Sequence, residues 1–150
     1  MIQINPSAAP LWQEDLLLGH TPMDSEHETL ARLIATLNQA ADDGLASALD
    51  ALAAHATQHF ESENAWMTET AFPPRDCHID EHAAVLRSVQ DVQQRLARGD
   101  FVVARRLGAE LEAWFPAHVQ HLDSALSHWL CKLRLGGKPV VLRRRLPTAA

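Results

Sequence analysis

The sequence predicts an all-α protein, folded as an antiparallel up-down-up-down four-helix bundle. Three observations predict it. Apolar residues recur at three- and four-residue steps along four long stretches. The connections between those stretches are short and carry helix-stopping residues, which makes successive helices antiparallel neighbours. No stretch shows the alternation, the β-branched clustering or the turn chemistry of a sheet, and Val140-Val141-Leu142 is too short to change that.

Residues 1–23 contain Pro6, Pro10, Gly19 and Pro22 and read as an irregular arm, packed on the body through Trp12 and Leu16 to Leu18. The bundle is expected over residues 24–135. Asp24 is the predicted N-cap of the first helix, whose stripe is Leu30, Leu33, Ile34 and Leu37, with Asp42-Asp43-Gly44 at its end. The second helix is predicted from about Leu45 to about Thr70, with the stripe Leu45, Leu49, Leu52, Ala56, His59, Glu63 and Met67. Phe72-Pro73-Pro74 stops it, because proline cannot continue a helix. Asp76 is the predicted cap of the third helix, which reads His78, His82, Val85, Val89, Val92 and Leu96 and ends at Arg98-Gly99-Asp100. The fourth reads Leu107, Leu111, Trp114, His118, Leu122, Ala125, Trp129 and Leu133, and Gly136-Gly137 with Pro139 stops it. Residues 136–150 form a short basic tail.

At 150 residues the chain is predicted to be one domain, long enough to bury roughly 68–70% of the surface an unfolded chain of this size exposes. Two cysteines, Cys77 and Cys131, cannot make a disulfide framework. The first residues lack the pattern of a signal peptide, and no apolar run reaches the roughly 18 residues of a membrane span. A cytoplasmic setting is expected. Net charge is −6, but all 19 acidic residues lie at or before Asp123, whereas six of the 13 basic residues lie beyond it. The acidic body argues against nucleic acid as a partner. The basic tail reads as solvated, with docking to an acidic partner or membrane surface as the alternative.

Seven ionisable residues keep to the apolar stripes or lie beside them: His27, His59, Glu63, His78, His82, His118 and Asp123. Buried ionisable groups are rare unless they are paired or bind metal. His59 with Glu63, and His78 with His82, are four apart and share a helix face. His118 and Asp123 are five apart, which an ideal helix does not place on one face, so spacing alone does not pair them. His55 is four before His59 and makes a rival pair, and His121 rivals Asp123. Both, with His20 and His128, read as non-ligands. Seven donors exceed what one tetrahedral zinc needs and suit two ions sharing carboxylates. The oxygen-only cages of calcium and magnesium do not fit. Iron, zinc, copper and nickel all do.

Met23-Asp24-Ser25-Glu26-His27 followed by Leu30, His59-Phe60-Glu61-Ser62-Glu63 followed by Met67, His78-Ile79-Asp80-Glu81-His82, and Trp114-Phe115-Pro116-Ala117-His118 with Asp123 together resemble the hemerythrin family, in its single-domain bacterial form. The early Trp12 and Gly19 fit as well, and the match spans about residues 12 to 130. The family's last motif has a histidine and an aspartate five apart, so the resemblance supplies the pairing that spacing did not.

The resemblance implies two non-haem iron ions joined by an oxo or hydroxo bridge. It places His78, His82 and His118 on the coordinatively full iron and His27 and His59 on the iron with an open position. Glu63 and Asp123 bridge the two. It also implies an oxygen-binding protein for carriage, storage or sensing, taking up dioxygen reversibly as a hydroperoxide at the open iron. The alternatives are an enzyme acting on peroxide or nitric oxide, with Cys77 as a redox adjunct, and an iron-linked regulatory module. A histidine-rich donor set leaves less negative charge on the irons than a carboxylate-rich one, which favours reversible binding. The expected apolar wall of the oxygen pocket is Trp114, Phe115, Ile34 and Trp66. Asn64 replaces a frequent second glutamate, Phe72 a frequent tyrosine, and Phe115 a frequent leucine. Phe115 with Pro116 is expected to narrow or reshape the pocket.

Overall fold

The computed structural model describes residues 11–135, and the expectations for residues 1–10 and for the tail at 136–150 lie outside them. Four long helical rods form the bundle: α1 (Thr21–Gln39), α2 (Leu45–Glu69), α3 (Arg75–Ala97) and a fourth rod built of α4 (Phe101–His118), a π-helical turn (Val119–Asp123) and α5 (Ser124–Arg134). No strand occurs among the described residues. Each rod packs on those before and after it, and α1 closes the ring against α4, while the α2–α4 diagonal touches little. The architecture is the all-α four-helix bundle that the stripes predict.

Two helix starts differ from the sequence reading, each for a local reason, while α2 begins at Leu45 as expected. α1 begins at Thr21 rather than after Asp24. The Nδ1 of His20 accepts the Met23 N–H at 3.2 Å, and Pro22 sits in the first turn, where its missing N–H costs nothing. Asp24 holds the arm instead: its carboxylate accepts the N–H groups of Leu18 and Gly19 at 2.8 and 3.0 Å. α3 begins at Arg75 directly after Pro74, which leaves Asp76 exposed in the first turn instead of capping it. Before α2, Asp42–Gly44 forms a 3₁₀ turn, clamped by Arg105 through the Ala40 carbonyl (3.1 Å) and the Asp42 carboxylate (2.5 Å).

The α2 and α3 ends use one device. After α2, the Phe72 N–H bonds to the Met67 carbonyl (2.9 Å) and the Ala71 N–H to that of Thr68 (3.3 Å). After α3, the Asp100 N–H bonds to Arg95 (3.1 Å) and the Gly99 N–H to Leu96 (2.9 Å). This is the Schellman arrangement, which requires a left-handed residue at its centre. Gly99 supplies it at φ +90°, and Ala71 is forced into it at φ +52°. Asp100 then caps α4 by accepting the Val103 N–H at 3.0 Å.

Two apolar clusters fill the bundle. The larger holds Ile34, Leu37, Leu49, Leu52, Phe60, Val92, Leu111 and Phe115 among others. The smaller holds Met23, Met67, Phe72 and Leu126. Along the rods, the polar buried residues fall between members of the two: His27 between Met23 and Leu30, His59 and Glu63 between Ala56 and Met67, His118 and Asp123 between Phe115 and Leu126. A polar layer is thus sealed between two apolar ones. Leu16 from the arm is buried against the larger cluster, and Leu11, Trp12 and Leu18 pack around it.

Candidate metal centre

All seven stripe residues meet in that layer, and none is more than 4% exposed. Their ligand atoms fall into two groups. Glu63, His78, His82, His118 and Asp123 converge in one; His27, His59, Glu63 and Asp123 converge in the other. Within each group all ligand atoms lie within 4.8 Å of one another.

The two carboxylates belong to both groups, one oxygen to each. Glu63 Oε1 lies 2.8 Å from His59 Nε2 and 3.4 Å from His27 Nε2. Its Oε2 lies 3.3 Å from His82 Nε2 and 3.6 Å from His78 Nε2. Asp123 Oδ2 lies 2.9 Å from His27 Nε2, and Oδ1 lies 3.0 Å from His78 Nε2 and 3.2 Å from His118 Nε2. Both carboxylates therefore span the two groups side by side.

The π-helical turn brings in Asp123. On a regular α-helix a residue five further on points about 140° away. The i→i+5 turn over Val119–Asp123 brings that residue back to the same face. The rival His121 is exposed on the outside of the turn.

This donor set fits cations. The Nε2 atoms of His27 and His78 and all four carboxylate oxygens are buried and make no aligned hydrogen bond. Such unpaired polar atoms are costly to bury. Their short mutual distances without hydrogen-bond direction are what atoms aimed at a common centre produce. His82 Nε2 and His118 Nε2 likewise face each other at 3.3 Å. Imidazole and carboxylate together suit the middle and later first-row metals.

Without metal the charges settle on one another. Burial lowers the proton affinity of His59, but the Glu26 and Glu63 carboxylates beside it outweigh that and raise its pKa to about 10. Burial opposes His78 too, and Asp123 and Glu63 raise it to about 9. His27 is raised in the same way, against burial, by Asp123 and Glu63. His82 moves down, chiefly through burial. Burial pushes Glu63 upward, but the four histidines around it hold it well below the usual carboxylate range. Asp123 is also held low: burial and the Glu63 charge oppose this, and His118, His27 and His78 prevail.

A supporting ring of side chains escaped the sequence reading. Glu26 Oε2 lies 2.5 Å from His59 Nδ1, Asn64 Oδ1 lies 2.8 Å from His82 Nδ1, and Glu81 Oε1 lies 3.0 Å from His118 Nδ1. Phe60 stacks on the His82 ring at 4.1 Å with 7° between planes. The one signal for the glutamates was the Glu-His pair that recurs at 26–27 and 81–82.

The four expected wall residues do not gather in one place. The Phe115 ring lies 6.0 Å from that of His27, and Ile34 belongs to the same apolar cluster. Trp114 lies over His118 instead, at 4.4 Å. Trp66 packs against His20 beside the smaller cluster. The remaining histidines stay out of the donor groups, with His20 capping α1, His55 bonded to the Glu26 carbonyl at 3.0 Å and His128 exposed. Both cysteines are free and exposed. No helix among the described residues is long and apolar enough to cross a membrane.

Comparison with known proteins agrees with this geometry. The chain is similar to the bacteriohemerythrin of Ralstonia nicotianae, with 40% identity over 121 residues, covering 81% of this chain and 88% of that protein. It is also similar to the bacteriohemerythrins of Pseudomonas paraeruginosa and Pseudomonas aeruginosa, each at 24% identity over 118 residues and 76% of both chains. The family model described as the hemerythrin HHE cation binding domain matches residues 19–130, which include every member of the two donor groups. With four helices, two histidine-rich groups and two shared carboxylates inside that match, the chain belongs to the hemerythrin family.

Proposed function

We propose that this protein holds two iron ions in the two donor groups and binds dioxygen reversibly at the ion served by His27 and His59. The observation that carries this reading is the unequal division of the histidines. The carboxylates are common to both groups, so one ion has three further protein donors and the other has two. The second therefore keeps room for an exogenous ligand, as an open metal site must. Ferrous iron in these positions would lend dioxygen electrons on binding and take them back on release.

The chain's own residues provide the setting. Glu63 and Asp123, both fully buried, offset the positive charge of two ions without contact with water. Phe115 lies edge-on to His27 and, with the apolar cluster it shares with Ile34, keeps out the water that would carry off a reduced oxygen species. The Nδ1–H of His59 donates to Glu26, which directs the Nε2 lone pair inward.

The test is anaerobic reconstitution with ferrous iron, followed by a metal count and visible spectra through repeated cycles of air and vacuum. Two irons per chain and a band that appears in air and bleaches under vacuum are expected. Irreversible oxidation within the first cycle would remove the carrier reading, and steady peroxide consumption above that of free iron would favour an enzyme.

A further inference from the structure

Two halves of the bundle repeat one arrangement of side chains. Glu26-His27 on α1 and Glu81-His82 on α3 are the same dipeptide. In each, the histidine enters a donor group, and the glutamate reaches a histidine of the next rod. Consecutive helical residues point about 100° apart, so a glutamate beside an inward histidine falls at the seam with a neighbouring helix. From there Glu26 meets His59 on α2 and Glu81 meets His118 on α4.

The repeat extends to a second ring in each half. Four residues before His59 stands His55, and four before His118 stands Trp114. Glu26 accepts His55 Nε2 through its backbone carbonyl at 3.0 Å, and Glu81 accepts Trp114 Nε1–H through Oε1 at 2.8 Å. Each of these rings lies over its histidine: His55 over His59 at 6.1 Å and 4°, Trp114 over His118 at 4.4 Å and 29°. One glutamate residue thus fixes a histidine and the ring stacked on it.

The two glutamates are about 29% and 37% exposed, while the histidines they touch are buried. Their charge stays partly hydrated while the hydrogen bond is delivered inside. An Nδ1–H held by a carboxylate fixes the tautomer and ring plane, leaving Nε2 to face a metal. The halves differ in what else supports them. His82 has Asn64 in addition, whereas His27 has no hydrogen-bond partner on Nδ1. The two-histidine half therefore has Glu26 as its one side-chain brace among the described residues.

We infer that Glu26 and Glu81 are positioning residues that act on different ions, Glu26 on the two-histidine ion through His59 and Glu81 on the three-histidine ion through His118. This rests on the two-ion reading above. The experiment is anaerobic titration of the metal-free protein with cobalt(II), following visible ligand-field bands, for wild type, Glu26→Ala, Glu26→Gln, Glu81→Ala, Glu81→Gln and His59→Ala. Wild type tests the two-ion reading by itself: fewer than two cobalt ions per chain would overturn that reading, and this inference with it. Given two ions, Glu26→Ala weakens by about 10–100-fold the step that His59→Ala abolishes, and spares the other. Glu81→Ala weakens the other step, with a different spectral change. Each glutamine variant keeps an acceptor and recovers part of the loss, which a mere packing role would not produce. Wild-type titrations in both alanine variants, or loss of the same step in both, would overturn the inference while leaving the two-ion reading standing. Should an alanine variant fail to fold by circular dichroism, its glutamine partner decides the matter.

Discussion

Asp123 Oδ1 lies 3.2 Å from His118 Nε2, although five residues separate them. The π-helical turn between the two makes this contact possible, and it begins three residues after Pro116, whose ring removes one donor from the helical ladder. Pro116 itself points away from the donor groups, toward a cavity of about 290 Å³ lined by Leu11, Leu16 and Glu112. Phe115, the residue before it, faces His27.

Exchanging Leu122 and Asp123, as Leu122→Asp with Asp123→Leu, places the carboxylate four residues after His118. On a regular helix that would restore the pair. Across the π-helical turn it turns the carboxylate away from His27, His78 and His118 together. Metal analysis after reconstitution is expected to give fewer than two ions per chain; two ions would mean that the turn does not hold its shape.

The metal-free protein should lose stability toward alkaline pH. His59 and His78 are raised to about 10 and about 9 from an ordinary 6.5. A raised value stabilises fully below the unfolded value of 6.5, and the gain is lost as pH rises through 9 to 10. Glu63 and Asp123 are held low, so their contribution is present above their unfolded values near 4 and is lost only in strong acid. Thermal unfolding of the metal-free protein is therefore expected to peak at about pH 5–6 and fall toward pH 10. Metal affinity should run the other way and drop as pH falls from about 10 through 9, because protons compete for the same imidazoles. A flat melting temperature from pH 6 to 10 would contradict the charge arrangement.

Phe115→Ala separates pocket from metal. The ring is 1% exposed and belongs to neither donor group, so two ions should still bind. Its loss is expected to cost about 3–5 kcal/mol of stability, measured by urea unfolding. The ferrous protein should oxidise in air at least about tenfold faster, an effect of about 1.4 kcal/mol on the barrier. Unchanged oxidation with the stability loss present would show that Phe115 is packing alone.

The paired helix ends give an internal control. Ala71 occupies the left-handed position that Gly99 occupies in the same motif. A side chain there costs about 1–2 kcal/mol. Ala71→Gly is expected to stabilise by about 1 kcal/mol and Gly99→Ala to destabilise by about as much, each read from urea midpoints. A destabilised Ala71→Gly would indicate that the methyl group packs more than the backbone strains.

The sequence by itself determined the bundle, its four rods and, by periodicity, six of the seven residues that meet at its centre, while Asp123 was joined to them by the family resemblance. Leu30, Ile34 and Leu37 can be buried together only on a helix, and His59 with Glu63 or His78 with His82 share a face by spacing alone. Helix starts were less legible. Asp24 is the better cap by residue type, yet His20 serves, because the arm takes the Asp24 carboxylate. The resemblance carried by the motifs already implied how the histidines divide between the groups, and only the tertiary structure decided two further matters: which glutamate braces which ring, and where the tryptophans lie. Trp114 and Phe115 are adjacent in sequence, yet one covers His118 and the other His27, since neighbours on a helix face different helices. The turn that makes the five-residue step to Asp123 possible belongs with these. Residue spacing assumes one helical period, and it cannot show where the period itself changes from 3.6 residues per turn to the wider turn that completes the site.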